Sequence, residues 1–372
     1  MSPDADGIVI GGGPAGSAAA IRLARAGAAT ILLERERAAT AKVCGEFLSV
    51  EACAEARALG VDPFALGAAP IDRVRVTWRG TCVESALPFR AASLSRTALD
   101  EALLGAASAA GVRIERGAHA IALEGSRVTV RRDGAVAVRE APAVVLATGK
   151  AEFSGQRRAG GHFRDALGFK MHFALEPREA DALGTAVELT LFAGGYAGMQ
   201  RIEDGLVALA LVVRREAYAR FGSWRALVSA FAGANRSAAR RLEGARELWP
   251  KPLAVSGVPY GFVHRDEASG ADAGLYRVGD QLAVIPSFTG DGLAIALVTG
   301  SCAARAIASQ ETPRAFHSAM RARLARPMRV AGTVSRAIGS PFGRAAVVWP
   351  ARLLPQIFTL VAAATRISRE ER

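Results

Sequence analysis

The chain has 372 residues, 51% hydrophobic and 22% charged, a balance that excludes a disordered protein and leaves room for two interleaved domains. Its formal net charge is +12, almost all from arginine, since Lys42, Lys150, Lys170 and Lys251 are the only lysines; this surplus favours anionic partners. Cys44, Cys53, Cys82 and Cys302 form no CxxC pair and no zinc spacing, so free thiols in a reducing cytoplasm are expected and no metal is. The start carries no basic leader, and no run of about 18 residues is apolar and charge-free enough to span a bilayer.

The first elements read clearly. A buried strand is predicted over 8–10, a glycine turn over 11–16, and an alanine-rich helix over 14–26 that stops at Gly27. A second strand over 30–33 ends at Glu34, completing a βαβ unit. Loop and helix follow over 35–69 and include Lys42-Val-Cys-Gly-Glu46. Antiparallel strands are predicted over 71–89, with Val74, Val76 and Trp78 on one face. Ser95 caps a helix running to 110. Strands return over 112–114, then over 128–130 and 136–138 about an Asp133-Gly134 hairpin turn. A buried strand over 143–146 ends in Ala147-Thr-Gly149. Residues 160–265 alternate in β fashion around 187–192 and 206–213, then turn helical near 224–232. The α/β pattern resumes with Leu275-Tyr-Arg-Val-Gly-Asp280 and a helix from about Gly292.

These elements predict an α/β protein with three parts. A discontinuous dinucleotide-binding domain of Rossmann type takes 1–69, 91–159 and 272–310. An inserted antiparallel β-sheet domain for the substrate takes 70–90 and 160–271. A basic helical region takes 311–372, where nine arginines and no Asp or Glu lie between Thr312 and Ser368. Its amphipathic helices suit contact with an acidic carrier protein or with anionic lipid, so the expected location is cytoplasmic or peripheral to a membrane. No nucleic-acid-binding module is present, and none of that ligand class is expected.

Gly11-x-Gly13-x-x-Gly16 follows an apolar strand and opens a helix, the context in which this spacing carries chemistry. The first glycine allows the tight turn, the second admits a pyrophosphate to the backbone N–H groups, and the third lets helix and strand approach. Pro14 and Ala15 begin a helix whose N-terminus favours phosphate charge. Glu34, with Arg35 after it, stands where a ribose hydroxyl pair would be bound. The motif alone does not separate NAD from FAD. A second element does: Gly279-Asp280 after a strand, then Ile285-Pro286, then Gly290-Asp291-Gly292-Leu293 opening a helix. An Asp there suits a ribityl hydroxyl, and a helix N-terminus suits the flavin N1–C2=O, where negative charge gathers on reduction.

With these segments the chain resembles the geranylgeranyl reductase family, within the superfamily of p-hydroxybenzoate hydroxylase and the flavin-dependent halogenases. The resemblance rests on Gly11–Gly16 with Glu34, on Lys42-Val-Cys-Gly45, on Leu94-Ser-Arg-Thr-Ala-Leu-Asp100, and on Gly279-Asp280 through Gly292, and it spans about residues 7–308. It implies a glutathione reductase-like fold of the hydroxylase type holding FAD. It places Arg96 near the phosphates or ribityl chain, Cys44 and Gly45 beside the isoalloxazine ring, and Lys42 and Gly149 at the cofactor. Where that family carries Tyr-x-Trp-x-Phe-Pro over its substrate tunnel, this chain reads Gly194-Gly-Tyr196-Ala-Gly-Met-Gln200, keeping the tyrosine only. The Trp-x-Trp-x-Ile-Pro signature of tryptophan halogenases is absent.

A flavin admits three fates for its electrons: hydride transfer to a C=C bond, reaction with oxygen leading to hydroxylation or halogenation, or passage to a quinone or protein. The expectation is a reductase or desaturase for a hydrophobic lipid, prenyl or polyketide-type molecule, with a monooxygenase or halogenase and an electron carrier as alternatives. No second glycine turn lies between strand and helix, so NAD(P)H would bind transiently or an external reductase would deliver electrons. Catalytic candidates are Cys44, Gly45 and Tyr196. Among the histidines, His162 and His172 flank the inserted region.

Overall fold

The computed structural model describes residues 3–158, 161, 165–265 and 274–367. Its centre is a five-stranded parallel sheet in the order Leu275–Arg277, Ala143–Leu146, Gly7–Ile10, Thr30–Glu34, Arg113–Arg116. Gly7–Ile10 pairs with Thr30–Glu34 on one side and Ala143–Leu146 on the other, so the chain reverses its winding beside the first strand. The C-terminal edge at such a switch point is where open α/β sheets leave a crevice. Continuous apolar runs explain the parallel pairing: Ile8, Val9, Leu32 and Val145 are wholly buried because helices cover one face and a three-stranded meander, 119–140, the other. The turn of that meander has Asp133 and Gly134 at φ 51° and 81°, the conformation the Asp-Gly pair predicts.

Helix Pro14–Arg25 packs against Gly292–Ala308 closely enough that a Cβ on Gly300 would fall 2.1 Å from the Ala15 carbonyl oxygen. This contact ties the two glycine-bearing segments, far apart in sequence, into one unit.

A nine-stranded sheet joins residues 47–48, 69–93 and 166–256. It is antiparallel except for Ala186–Phe192, which runs parallel to Ala69–Trp78 with Ala186 opposite Arg73. The exception has a simple cause: the two strands come from separate excursions out of the α/β core, so no hairpin sets their direction. Helix Pro313–Ile338 packs Phe316, Met320 and Leu324 into the core of the parallel-sheet unit. Helices Pro341–Leu353 and Gln356–Ala364 then fold over the nine-stranded sheet, packing Val348, Ala351 and Phe358 on Val74, Val76, Trp78 and Leu191. Among the described residues no single helix is long and apolar enough to cross a membrane.

Candidate active site

One cavity of about 1240 Å³ runs from the glycine turn to the C-terminal helices. Single-ligand pockets are ordinarily about 300–1,000 Å³, so this space exceeds the need of one bound molecule. Its first arm is polar and built on the parallel sheet; its second is apolar and lies between the nine-stranded sheet and the C-terminal helices.

The glycine turn opens the polar arm. Gly11 has φ +107°, and a Cβ there would lie 2.5 Å from the Ala147 carbonyl oxygen. A Cβ on Gly16 would meet the Gly11 carbonyl oxygen at 1.9 Å, so Gly16 serves helix–strand packing and does not line the cavity. Gly13 differs. Its backbone is ordinary (φ −74°, ψ −176°), and it precedes a helix with no side-chain cap and with Pro14 at the first position. Helix-terminal N–H groups left without a cap are fit to bind a phosphate, and only the missing Gly13 side chain keeps the approach open. Glu34 accepts from Gly12 N–H at 2.7 Å and from Glu36 N–H at 2.9 Å. Arg35 and Lys42 also line this arm, as does His119.

Arg96 closes over the turn from the opposite side. Its helix is capped by Ser95, whose Oγ accepts from Ala98 N–H at 3.2 Å. The guanidinium forms two 2.8 Å bonds to Asp100 and stands 3.4 Å from the position of a Gly13 Cβ. Burial disfavours its charge, but Asp100 and then Cys44 more than offset this, and the pKa is raised. The i, i+4 pair and the cavity-lining position therefore coexist.

The Lys42–Glu46 loop is held from beneath by a buried ion cluster. Glu46 has φ +59°, a strained conformation for a residue with a Cβ, and is wholly buried. It accepts from Arg96 N–H at 2.7 Å, pairs with Lys170 and lies 2.8 Å from His172 Nε2. Burial raises the Glu46 carboxyl, yet the His172 hydrogen bond and the Lys170 charge prevail and hold it below the ordinary range. Gln200 donates to the Gly45 carbonyl at 2.9 Å, and Glu46 N–H reaches the Cys44 sulfur at 3.4 Å. Cys44 and Gly45 are thereby presented to the cavity.

At the far end, Asp280 lies 3.7 Å from Lys150, and Gly149 and Gly279 flank the pair at φ +62° and +56°. Arg158 fixes this corner by donating to the Gly149 and Asp280 carbonyls at 3.3 and 3.0 Å. Helix Gly292–Ala308 begins uncapped, and Gly290, Gly292 and Leu293 line the cavity. Asp291 and Pro286 do not. The Asp291 carboxylate turns away to Ser49 at 3.3 Å, Ile367 N–H at 3.0 Å and Arg366 at 3.1 Å. Its buried position pushes its pKa up to about 6, and it anchors the C-terminal segment instead of facing the crevice.

Where the arms meet, the Tyr196 hydroxyl lies 2.5 Å from Ser287 Oγ, and the buried Tyr260 lies near the same serine. Burial raises both phenols. The apolar arm continues past Val76, Leu189, Val212, Val347, Phe358 and Val361.

Lys150, Tyr260, Ser287, Glu46 and Lys170 were not among the sequence candidates, whereas His172 is one of the two histidines singled out there and lies against Glu46. A usable signal was the rarity of lysine: of four, Lys42 and Lys150 line the cavity and Lys170 supports its loop. His162 lies outside the described residues. Among those described, no cluster of three metal-binding side chains exists.

Residues 4–137 match the family of FAD binding domains. A menaquinone reductase of Mycolicibacterium smegmatis is 31% identical over 122 residues, 32% of this chain and 30% of the reductase, so the match spans under a third of that relative. The chain superposes on a flavin-dependent brominase with a TM-score of 0.78 and 19% identity, covering 97% and 94% of the two chains. A geranylgeranyl bacteriochlorophyll reductase-like protein of Thermoplasma acidophilum gives 0.71 and 20%, covering 98% and 94%. At such identity the likeness is one of fold. The fold is the one shared by the flavin-dependent brominase and the reductase-like protein, with the match to FAD binding domains confined to residues 4–137.

Proposed function

We propose that this protein is an FAD-dependent oxidoreductase that reduces, or in reverse forms, a C=C bond in a hydrophobic lipid, prenyl or polyketide-type molecule. One observation carries the reading: a polar crevice suited to a dinucleotide and an apolar chamber are a single space of about 1240 Å³. Gly11, Gly13, Pro14, Ala15 and Gly16 would form the pyrophosphate turn, Glu34 would bind the ribose, and Arg35, Lys42 and Arg96 would bring positive charge. Asp280 and Gly149 would meet the ribityl chain, with Gly279 giving close approach. Gly290, Gly292 and Leu293 would present a helix N-terminus to the ring beside Cys44 and Gly45. The flavin, when bound, supplies hydride.

The chain's own residues supply the matching proton. Hydride added to one carbon of a C=C bond leaves its neighbour to be protonated. Tyr196, Ser287 and Tyr260 form a hydroxyl cluster between the arms, and burial keeps both phenols in the protonated, donating form. Lys150, whose charge favours the Tyr260 phenolate, would stabilise the group after donation. The apolar walls exclude water and select a lipophilic substrate; the menaquinone reductase similarity supports a molecule of that polarity. Electrons would come from NAD(P)H or from an external reductase.

The test incubates the purified chain with FAD, reduces it anaerobically and adds a menaquinone with an unsaturated side chain. Flavin uptake, substrate-dependent reoxidation and a product heavier by H₂ are expected, with slower turnover in Tyr196→Phe. A protein that takes up no FAD removes the cofactor assignment. A flavin reoxidised productively only by oxygen, with oxygen or halogen entering the substrate, replaces the reductase reading.

A further inference from the structure

The helices that roof the apolar arm carry an unusual outer face. In Pro341–Leu353, Phe342 and Leu353 are 89% and 85% exposed and Trp349 is 53% exposed. At 3.6 residues per turn these three fall within a stripe about 40° wide. Arg344, Val348 and Ala351 occupy the opposite side and are buried. Leu354 in the connection and Leu360 on Gln356–Ala364 add 60% and 67% exposed side chains. Elsewhere among the described residues the exposed large apolar side chains are only Leu66, Val136 and Val138, so the exposure is concentrated here.

We propose that Pro341–Leu353 and Gln356–Ala364 form a docking surface for an anionic lipid bilayer. Charge selects the occupant. Between Thr312 and Ser368 there is no acidic residue, and Arg326, Arg329, Arg336 and Arg352 are exposed, with the Arg352 guanidinium 5.1 Å above the Trp349 ring. A second copy of the chain would set arginine against arginine. An acidic protein would satisfy the arginines and leave the apolar stripe to find a separate complement. A bilayer of anionic lipid offers negative headgroups and an apolar interior at fixed relative depth, the pattern an interfacial amphipathic helix reads.

The surface lies on the membrane and does not span it. The two helices are bent by 120°, and neither is long enough to cross. Their inner faces are committed to the protein: Arg344 donates to the Phe192 carbonyl at 2.9 Å, and Val348 and Phe358 pack on the sheet. Val347 and Val361, on these same helices, wall the apolar arm. Docking would therefore bring the roof of that arm against lipid, from which a hydrophobic substrate would be drawn. The surface itself rests on the outer faces and is independent of the reaction proposed above.

The experiment floats the full-length, FAD-treated chain with vesicles of phosphatidylcholine alone or mixed with phosphatidylglycerol, at low and high salt. Strong recovery with the anionic vesicles at low salt is expected, with a blue shift of Trp349 emission that Trp349→Phe removes. Phe342→Ser/Leu353→Ser/Leu360→Ser should lower partitioning about 1000-fold, at roughly tenfold for each of the three side chains withdrawn from lipid, while FAD binding is unchanged. Arg352→Gln/Arg336→Gln should weaken binding to anionic vesicles only. Wild-type protein that stays unbound at low salt overturns the proposal, whether sedimentation finds it monomeric or finds a dimer that the triple variant dissolves. A triple variant that floats as well as wild type also overturns it, as does Trp349 emission shifted by an acidic protein and not by vesicles.

Discussion

Gly13 and Gly16 belong to one motif, yet the structure separates what each does. A Cβ on Gly13 would find its nearest neighbour, the Arg96 Nη2, at 3.4 Å, an ordinary contact. Its φ of −74° suits alanine. Gly13→Ala should therefore cost the free protein about 1 kcal/mol or less, the usual difference at a helix N-cap. The added methyl would instead stand in the approach to the helix N-terminus. Losing one charge-assisted hydrogen bond to a phosphate costs about 1.5–3 kcal/mol, so FAD should bind about 10- to 100-fold more weakly. Gly16→Ala is the contrast, because its Cβ would be driven to 1.9 Å from the Gly11 carbonyl oxygen. Backbone must move, and about 3 kcal/mol of stability should be lost. Thermal melts without cofactor and flavin-fluorescence titrations measure the two effects apart. Gly13→Ala binding FAD within about twofold of wild type, or melting without cofactor as low as Gly16→Ala, would refute this division of roles.

Three further outcomes are expected. Asp280→Ala should weaken FAD by about 1–3 kcal/mol in the same titration, the loss of a hydrogen bond to sugar, and should leave Lys150 without its carboxylate partner. Glu46→Gln should destabilise the protein by about 3–5 kcal/mol at neutral pH, because Lys170 stays buried without its counter-ion. Since the Glu46 pKa is lowered from its ordinary 4.5, its contribution is present above that value and is lost as pH falls through the lower folded value. Denaturant melts should therefore show the gap between wild type and variant narrowing below about pH 4.5 and constant above it; a gap unchanged by acid would contradict the assignment. Val361→Trp should fill the apolar arm, leave FAD affinity unchanged and abolish turnover of a lipophilic substrate; equal loss of FAD would mean the arms are not separate sites.

The sequence by itself determined what local patterning can encode. The glycine turn was legible because Gly11 and Gly16 meet steric demands that only glycine can and Gly13 leaves the helix N-terminus open, and the strands at 7–10, 30–34 and 143–146 because each is a short apolar run between turn residues. Arg96 and its Asp100 partner were legible for the same reason, lying one helical turn apart. What the sequence could not set was which distant segments meet. The parallel pairing of 186–192 with 69–78 joins strands more than a hundred residues apart, and no turn chemistry announces it. The Glu46–Lys170–His172 cluster and the Tyr196–Ser287–Tyr260 hydroxyls depend on that pairing and on the C-terminal end of the parallel sheet. Asp291 shows the limit most sharply. Its place in Gly290-Asp-Gly292 suited the cofactor, but the returning C-terminal segment offers Arg366 and the Ile367 N–H to its buried carboxylate. A side chain's direction is chosen by whichever partner relieves its burial, and that partner is known only once the chain has folded back.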